Sequence, residues 1–202
     1  MSRSEPISAI IAEADQKRFT LSDMEMRMTA LNDSHLRAER LESLTQAVGF
    51  ALWQLQILEY STAQYYVLVE LAEPMMGEEK GNLLVEKAQR NTFGASISQL
   101  GRANKLPDAL LARFKSILKE RNWLVHSSRS GSQIALADEA AFMALHSRLE
   151  AITEEAGSLL KQIAVQSENF VVNKGISIEI IAMKTAEILA QWQGSVEGAQ
   201  SL

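Results

Sequence analysis

The residue types best suited to acid–base chemistry on a phosphate lie close together in one short segment, at Arg121, Asn122 and His126. Histidine is the side chain that ordinarily titrates near neutrality, so it can take up a proton in one step and release one in another. Arginine offers a fixed fork of N–H donors for phosphate oxygens. Metal-free cleavage of RNA needs a base for the 2′-hydroxyl, an acid for the leaving oxygen and positive charge on the phosphorane. The segment contains the residue types that this reaction requires.

The spacing of Arg121 and His126 limits how one chain can use them together. Five positions on a straight helix correspond to a rotation of about 140° and a rise of about 7.5 Å, so the two side chains do not stack. They face a common cleft only if the helix frays or tightens at its end, or if a second copy completes the site. Asn122 is four residues before His126 and shares its face. Because one chain supplies one histidine here, a mechanism with two proton transfers requires a homodimer. The alternative is that His126 simply interacts with the last carbonyls of its helix.

Positive charge is concentrated around this segment, although the net charge of the chain is −5. Between Gly101 and Ser130 there are seven positive and two negative residues. A solvated helix face explains such a cluster as well as a nucleic-acid contact does. If RNA binds, we expect Lys115, Lys119 and Arg129 to contact its backbone. Trp123 could stack on a base, although a tryptophan at a helix end more often packs against the protein.

Two charged residues occupy apolar stripes rather than polar faces. Glu59 lies between Leu55 and Thr62, and Arg121 lies in the corresponding stripe of its own helix. A buried charge without a partner costs several kcal/mol. The simplest solution is an ion pair between Glu59 and Arg121 across the bundle, with Glu59 as a supporting residue of the site.

Apolar residues recur at steps of three and four along nearly the whole chain, which predicts amphipathic helices. Ten glycines and three prolines in 202 residues also favour long helices. We therefore predict an all-α, up-and-down helical bundle over residues 41–165, an N-terminal helical arm over 1–40, and a C-terminal helix and tail over 166–202. In the N-terminal part we expect a first helix over Pro6–Arg18, a short helix that Ser22 caps, and a break at Asn32–Ser34. A long helix should follow over Ser34–Glu73, and further helices should begin near Thr92, Pro107 and Ala137. We also expect a polar loop over Ser127–Gln133 and a frayed tail from Gly194.

Several function classes have no support in the sequence. There is no cysteine, and the three histidines are too far apart to form a metal site, so we expect no metal and no cofactor. Phosphate-binding and dinucleotide-binding glycine motifs are also missing. No apolar run approaches the ~20 residues that span a bilayer, and the N-terminus lacks the apolar stretch of a secretory signal. We expect a soluble, cytoplasmic protein with no membrane partner.

The segment Arg121-Asn122-Trp123-Leu124-Val125-His126 resembles the signature of HEPN domains. These helical bundles carry an arginine, usually followed by a polar residue, with a histidine four to six residues after the arginine near a helix end. The lead-in is also similar, with helices that start at Thr92-Phe93-Gly94 and Leu106-Pro107, and Lys119-Glu120 directly before the motif. The resemblance extends from Leu41 to Ile163.

The resemblance implies that Arg121 and His126 are a catalytic pair, with Asn122 as the polar residue beside it. Many HEPN domains are metal-independent endoribonucleases whose two motifs meet in a dimer, and others are inactive binding or assembly modules. Some members have a tyrosine two residues after the histidine, but this chain has Ser128 there. Two functions remain open, a dimeric ribonuclease of a toxin or defence system, with RNA and an antitoxin or other protein as partners, and a non-catalytic module. A third alternative is an unrelated helical scaffold.

Overall fold

A computed structural model of the chain describes residues 21–73 and 76–199, with the backbone alone for 21–22 and 192–199. This part of the chain consists of helices and contains no strand, so the prediction of an all-α bundle is confirmed. In chain order the elements are α1 (Leu21–Tyr66), a π-helix (Val67–Leu71), α2 (Glu78–Gln89), α3 (Phe93–Arg102), α4 (Asp108–His126), α5 (Ser128–Ala135), α6 (Glu139–Asn173) and α7 (Ile178–Ala199).

The core lies where α1 packs along α6, with α3 and α4 closing the other sides. The apolar stripe of α6, from Leu145 to Ile163, is buried in this core. Phe114 of α4 is fully buried and meets Phe93 of α3 edge to face, with ring centroids 6.4 Å apart. This aromatic pair fixes α3 against α4 at the place where the predicted site lies.

Helix α1 is continuous from Leu21 to Tyr66, so the predicted break at Asn32–Ser34 and the separate short helix before it are wrong. Asn, Asp and Ser favour helix caps, but inside an exposed helix each lowers helix stability by only about 0.5 kcal/mol relative to alanine. No glycine or proline lies between Leu21 and Val48. A run of good helix formers therefore continues the helix through the polar residues.

The predicted polar loop at Ser127–Gln133 is also wrong, because these residues lead into and form most of helix α5. Three serine hydroxyls donate hydrogen bonds back to carbonyls three or four residues earlier: Ser128 to Leu124, Ser130 to Ser127 and Ser132 to Ser128. Ala135 at the end of α5 is fully buried in the core. Local hydrogen bonds and this tertiary contact together stabilise a helix that composition alone disfavours.

Most other helix boundaries are close to the predicted ones. Thr92 is the N-cap of α3 and accepts a hydrogen bond from the Ala95 amide, and Asp138 caps α6 through the Ala141 amide. The long first helix changes to π geometry after Tyr66 and ends at Leu71, and α7 continues to Ala199 instead of fraying at Gly194. The predicted helix over Pro6–Arg18 lies outside the described residues.

The three predicted regions are not separated by breaks in the described backbone. The junctions at residues 40/41 and 165/166 fall inside α1 and α6, and the division into regions stays a prediction. Buried Arg40 holds α1 to the α5–α6 turn through the Leu136 carbonyl and the Glu139 carboxylate. Helix α7 makes only marginal contact with the other helices. No helix within the described ranges has the length and apolar character to cross a membrane.

Candidate functional site

Arg121 faces a cleft of about 470 Å³ between α1, the start of α3 and the second half of α4. Gly94 permits the close approach of α3 to α4, since a Cβ at this position would lie 3.3 Å from Cδ2 of Leu118. The N-terminal end of α3 borders the cleft and adds the positive end of a helix dipole to the arginine charge. The cleft is lined by Glu59, Arg90, Asn91, Thr92, Phe93, Gly94, Leu118, Arg121 and Asn122. A cleft of this composition suits an anionic group.

The predicted pairing of Glu59 with Arg121 is confirmed. Nε of Arg121 donates a hydrogen bond of 2.7 Å to Oε1 of Glu59, and both side chains are about one-third exposed or less. A single N–H of the guanidinium makes this bond, so its other N–H groups remain available for an oxygen in the cleft. Glu59 therefore neutralises and orients Arg121 at the same time.

The exposed face of α4 carries a polar stripe, which consists of Lys115, Lys119, Asn122 and His126. These positions are separated by four, three and four residues, so they align along one side of the helix, opposite the core residues Phe114 and Ile117. Within the described part of the chain, none of the four side chains forms an ion pair or hydrogen bond. The polar stripe thus presents two free ammonium groups and an imidazole to solvent.

Several other positive residues of the same region are already neutralised inside the bundle. Arg113 binds Glu155 through two bonds of 2.8 Å, and the hydrogen bonds to this carboxylate raise the pKa of Arg113. Lys105 pairs with Glu70 at 3.1 Å. Arg129, on the first turn of α5, has no carboxylate partner among the described residues. The predicted backbone-binding residues Lys115, Lys119 and Arg129 are therefore free of such pairs.

His126 does not line the cleft that contains Arg121. Helix α4 stays regular through His126, and a single residue, Ser127, separates it from α5. Fraying or tightening of the helix end, which would bring the two side chains together, is not found. Arg121 and His126 of one chain therefore do not share this cleft, and completion of the site by a second copy stays a prediction. Asn122 lies on both the cleft and the polar stripe, so it connects the two surfaces.

Trp123 packs against the protein, as tryptophans at helix ends usually do. The guanidinium of Arg148 lies 3.3 Å from the centroid of its ring, and Arg148 also binds Glu120 at 2.8 Å. One face of the indole is therefore covered by α6. This contact leaves Trp123 with a structural role and removes it from the group of base-stacking residues.

If the polar stripe binds RNA, as the sequence predicts, removal of its two lysines should weaken that binding and lower its dependence on salt. Each phosphate contact that is lost lowers the slope of log K against log salt by about 0.7 for single strands, so Lys115→Ala/Lys119→Ala should lower it by roughly 1.4. Fluorescence anisotropy with a labelled single strand over a salt series measures this slope. Lys87→Ala/Lys161→Ala, which removes the same charge elsewhere, is the control. An equal loss in both variants would contradict a localised RNA-binding face.

The sequence analysis did not predict that Asn91 and Thr92, the two residues directly before α3, line the cleft. The cap motif at Thr92 marked the start of α3, but only the packing of α3 on α4 shows that this start faces Arg121. A smaller cleft of about 200 Å³ adjoins on the other side of Glu59, with Gln56, Tyr60 and Asn91 in its wall.

No group of three or more His, Asp or Glu side chains suited to a metal ion occurs among the residues that the structure describes. No family model, no curated protein and no solved structure matches this chain.

Proposed function

We propose that this chain is a HEPN-like, metal-independent endoribonuclease that acts as a homodimer. The observation that carries the proposal is the arrangement on α4: Arg121 lies in a cleft, oriented by Glu59, and His126 ends the exposed polar stripe next to it. The stripe supplies cations for the RNA backbone and the cleft supplies a fork for the scissile phosphate. The motif resemblance supplies the reaction class.

In this mechanism, two copies contribute their motifs to one reaction. The imidazole of one His126 takes the proton of the 2′-hydroxyl, whose oxygen attacks the phosphorus atom. The imidazolium of the other His126 gives a proton to the leaving 5′-oxygen, so a cyclic phosphate and a free hydroxyl result. Arg121 donates hydrogen bonds to the phosphorane oxygens, and Asn122 contacts the same group. Because His126 is outside the cleft of its own chain, both histidines act only where the two surfaces meet.

The test is cleavage of a panel of single-stranded RNAs in the presence of EDTA. Wild-type protein is expected to cleave, and the Arg121→Ala/His126→Ala double variant is expected to be inactive. His35→Ala, which removes another exposed histidine, in the arm of α1, is the control and should cleave normally. Equal cleavage by wild type and the double variant would exclude this mechanism, as would activity that EDTA abolishes.

A second candidate is a non-catalytic module that dimerises or binds a partner protein. The ion pair between Arg121 and Glu59 favours it, because this pair also has a purely structural role, holding α4 against α1. In that case, wild-type protein and the double variant would both leave RNA intact in EDTA and with added Mg²⁺. A Glu59→Gln variant would then change stability but no activity.

A further inference from the structure

Helix α1 has a second row of large side chains, on the side that faces away from the core. We call Phe50, Trp53, Ile57 and Tyr60 the aromatic stripe. Their exposed fractions are 49%, 60%, 36% and 49%, whereas Ala51, Leu55 and Leu58 on the opposite side of the same turns are buried. Contiguous apolar surface of this kind is uncommon on monomers and typical of protein interfaces.

Most of the helix around the aromatic stripe carries no charge. From Ser43 to Leu58 there is no Asp, Glu, Lys or Arg, and the next charged residue, Glu59 beside Tyr60, is paired with Arg121. A surface helix normally has charged residues on its outer face, and a helix without them on any side is normally buried. Two copies of an uncharged surface can face one another without repulsion. Two copies of a charged surface would repel each other, because like charges would lie opposite one another.

The spacing of the four residues is symmetric. The steps from Phe50 to Tyr60 are three, four and three residues, and this order is the same when read backwards. A two-fold axis near position 55 would therefore place Trp53 opposite Ile57 of the other copy, and Phe50 opposite Tyr60. Antiparallel helix pairs are built from such reciprocal contacts.

We infer that the aromatic stripe is the surface on which a second copy of this chain binds, as an antiparallel pair of α1 helices. The inference names the interface of the dimer that the proposed function requires and to that extent rests on it, but the interface itself is measured without RNA.

The aromatic stripe has the area of the apolar centre of a dimer interface, and part of it is already ordered. Each half-exposed side chain presents on the order of 100 Å², so two stripes cover roughly half of the ~1,600 Å² that a standard interface buries. The glutamines beside them, Gln46, Gln54, Gln56 and Gln64, provide a polar rim. Phe50 and Trp53 already pack edge to face at 6.4 Å, so less side-chain freedom is lost on association.

The stripe is continuous with the candidate site. Tyr60 lines the smaller cleft together with Glu59, which also borders the cleft of Arg121. Glu59 is four residues from the inferred axis, so the two Glu59 residues of a dimer would be about 12 Å apart along the helices. The aromatic stripe is therefore linked to the candidate site through the smaller cleft, which Tyr60 and Glu59 share.

The first experiment compares oligomeric state by light scattering after size exclusion, at micromolar concentration. Wild type is expected to be a dimer and Trp53→Glu/Ile57→Glu a monomer, because the new carboxylates would face one another across the axis. The control is Met28→Glu/Leu31→Glu, which changes two exposed apolar residues of the same helix outside the stripe and should stay dimeric. Circular dichroism and Tm verify folding. A monomeric wild type, a dimeric stripe variant or a monomeric control would each overturn the inference.

The second experiment tests the antiparallel arrangement, and the absence of cysteine from the chain makes it simple. In the inferred pair, position 56 lies about 3 Å along the axis from its counterpart, and position 46 lies about 27 Å away. A short bismaleimide should therefore cross-link Gln56→Cys into a covalent dimer and leave Gln46→Cys monomeric on a denaturing gel. Cross-linking of Gln46→Cys would indicate a parallel pair and overturn the inference.

The two proposals fail separately. A stripe-dependent dimer without RNA cleavage in EDTA would overturn the ribonuclease and keep the interface. Cleavage by a wild type that stays monomeric would overturn the interface, and cleavage by a folded, monomeric stripe variant would overturn the need for two copies.

Discussion

His126→Ala is expected to lower RNA cleavage by about 10²–10⁴-fold and, when added in excess, to inhibit the wild-type protein. The first effect follows from the loss of both proton-transfer groups. The second follows from subunit exchange. With a threefold excess of variant, the wild-type chains that still pair with each other fall to about a quarter, and activity falls with them. A gel-based cleavage assay with a fixed amount of wild-type chain measures both effects.

His35→Ala at the same excess is the matched control, because its mixed dimers keep two copies of His126. Activity that stays constant while His126→Ala is added would show that each chain acts alone. Since the His126 side chain is exposed and forms no hydrogen bond or ion pair within the described part of the chain, Tm should be nearly unchanged by the substitution. A large fall in Tm would mean that lost activity reflects unfolding rather than lost chemistry.

Phe114→Ala should have the largest effect on stability of any change near the site. The side chain is fully buried between α3 and α4, and its removal leaves a cavity that the surrounding helices fill only in part. The free energy of unfolding should fall by about 3–5 kcal/mol, a large share of the ~5–15 kcal/mol typical of a domain. Urea unfolding followed by circular dichroism measures the loss.

Met143→Ala, which truncates an exposed apolar side chain of α6 outside the aromatic stripe, is the control for Phe114→Ala. In a folded monomer it should cost less than about 1 kcal/mol. Because Phe93 loses its partner ring when Phe114 is removed, the cleft wall should also loosen. Faster hydrogen exchange at the start of α3 in Phe114→Ala, but not in Met143→Ala, would report this change. An unchanged urea midpoint for Phe114→Ala would contradict the buried position of the ring.

The helical class and the pair Glu59–Arg121 could be predicted from sequence, because both follow from periodicity. A charge in an apolar stripe needs a partner, and few partners are available on the facing helices. Arg40 is also a charged residue in an apolar stripe, since it lies four residues before buried Leu44. Its partners, a backbone carbonyl and a carboxylate, lie where α5 turns into α6. A turn cannot be located from periodicity, so the contact was missed.

The errors share one physical cause, which is that polar residues were interpreted from local preference alone. Asn32–Ser34 remain helical because their neighbours favour helix, and Ser127–Gln133 become helical because Ala135 is buried. The aromatic stripe was missed for the opposite reason. The row through Leu44, Leu55 and Thr62 already gives α1 one buried face, so helical periodicity does not require a second apolar row in the same helix.

Because α1 is one continuous helix, it fixes the position of the arm relative to the cleft. A helix of 46 residues is about 69 Å long, and each residue in it also rotates the chain by 100°. The side chains of the arm and those of the cleft therefore point in directions that differ by a fixed angle around the axis of α1. A deletion of five residues between Thr29 and Glu39 would turn the apolar side chains of the arm by about 140° relative to Glu59. A deletion of eleven residues would shorten α1 by about 17 Å and leave these side chains within about 20° of their original direction. Helix α1 thus sets both the distance and the angle between the arm and the site. Any change in its length alters at least one of the two.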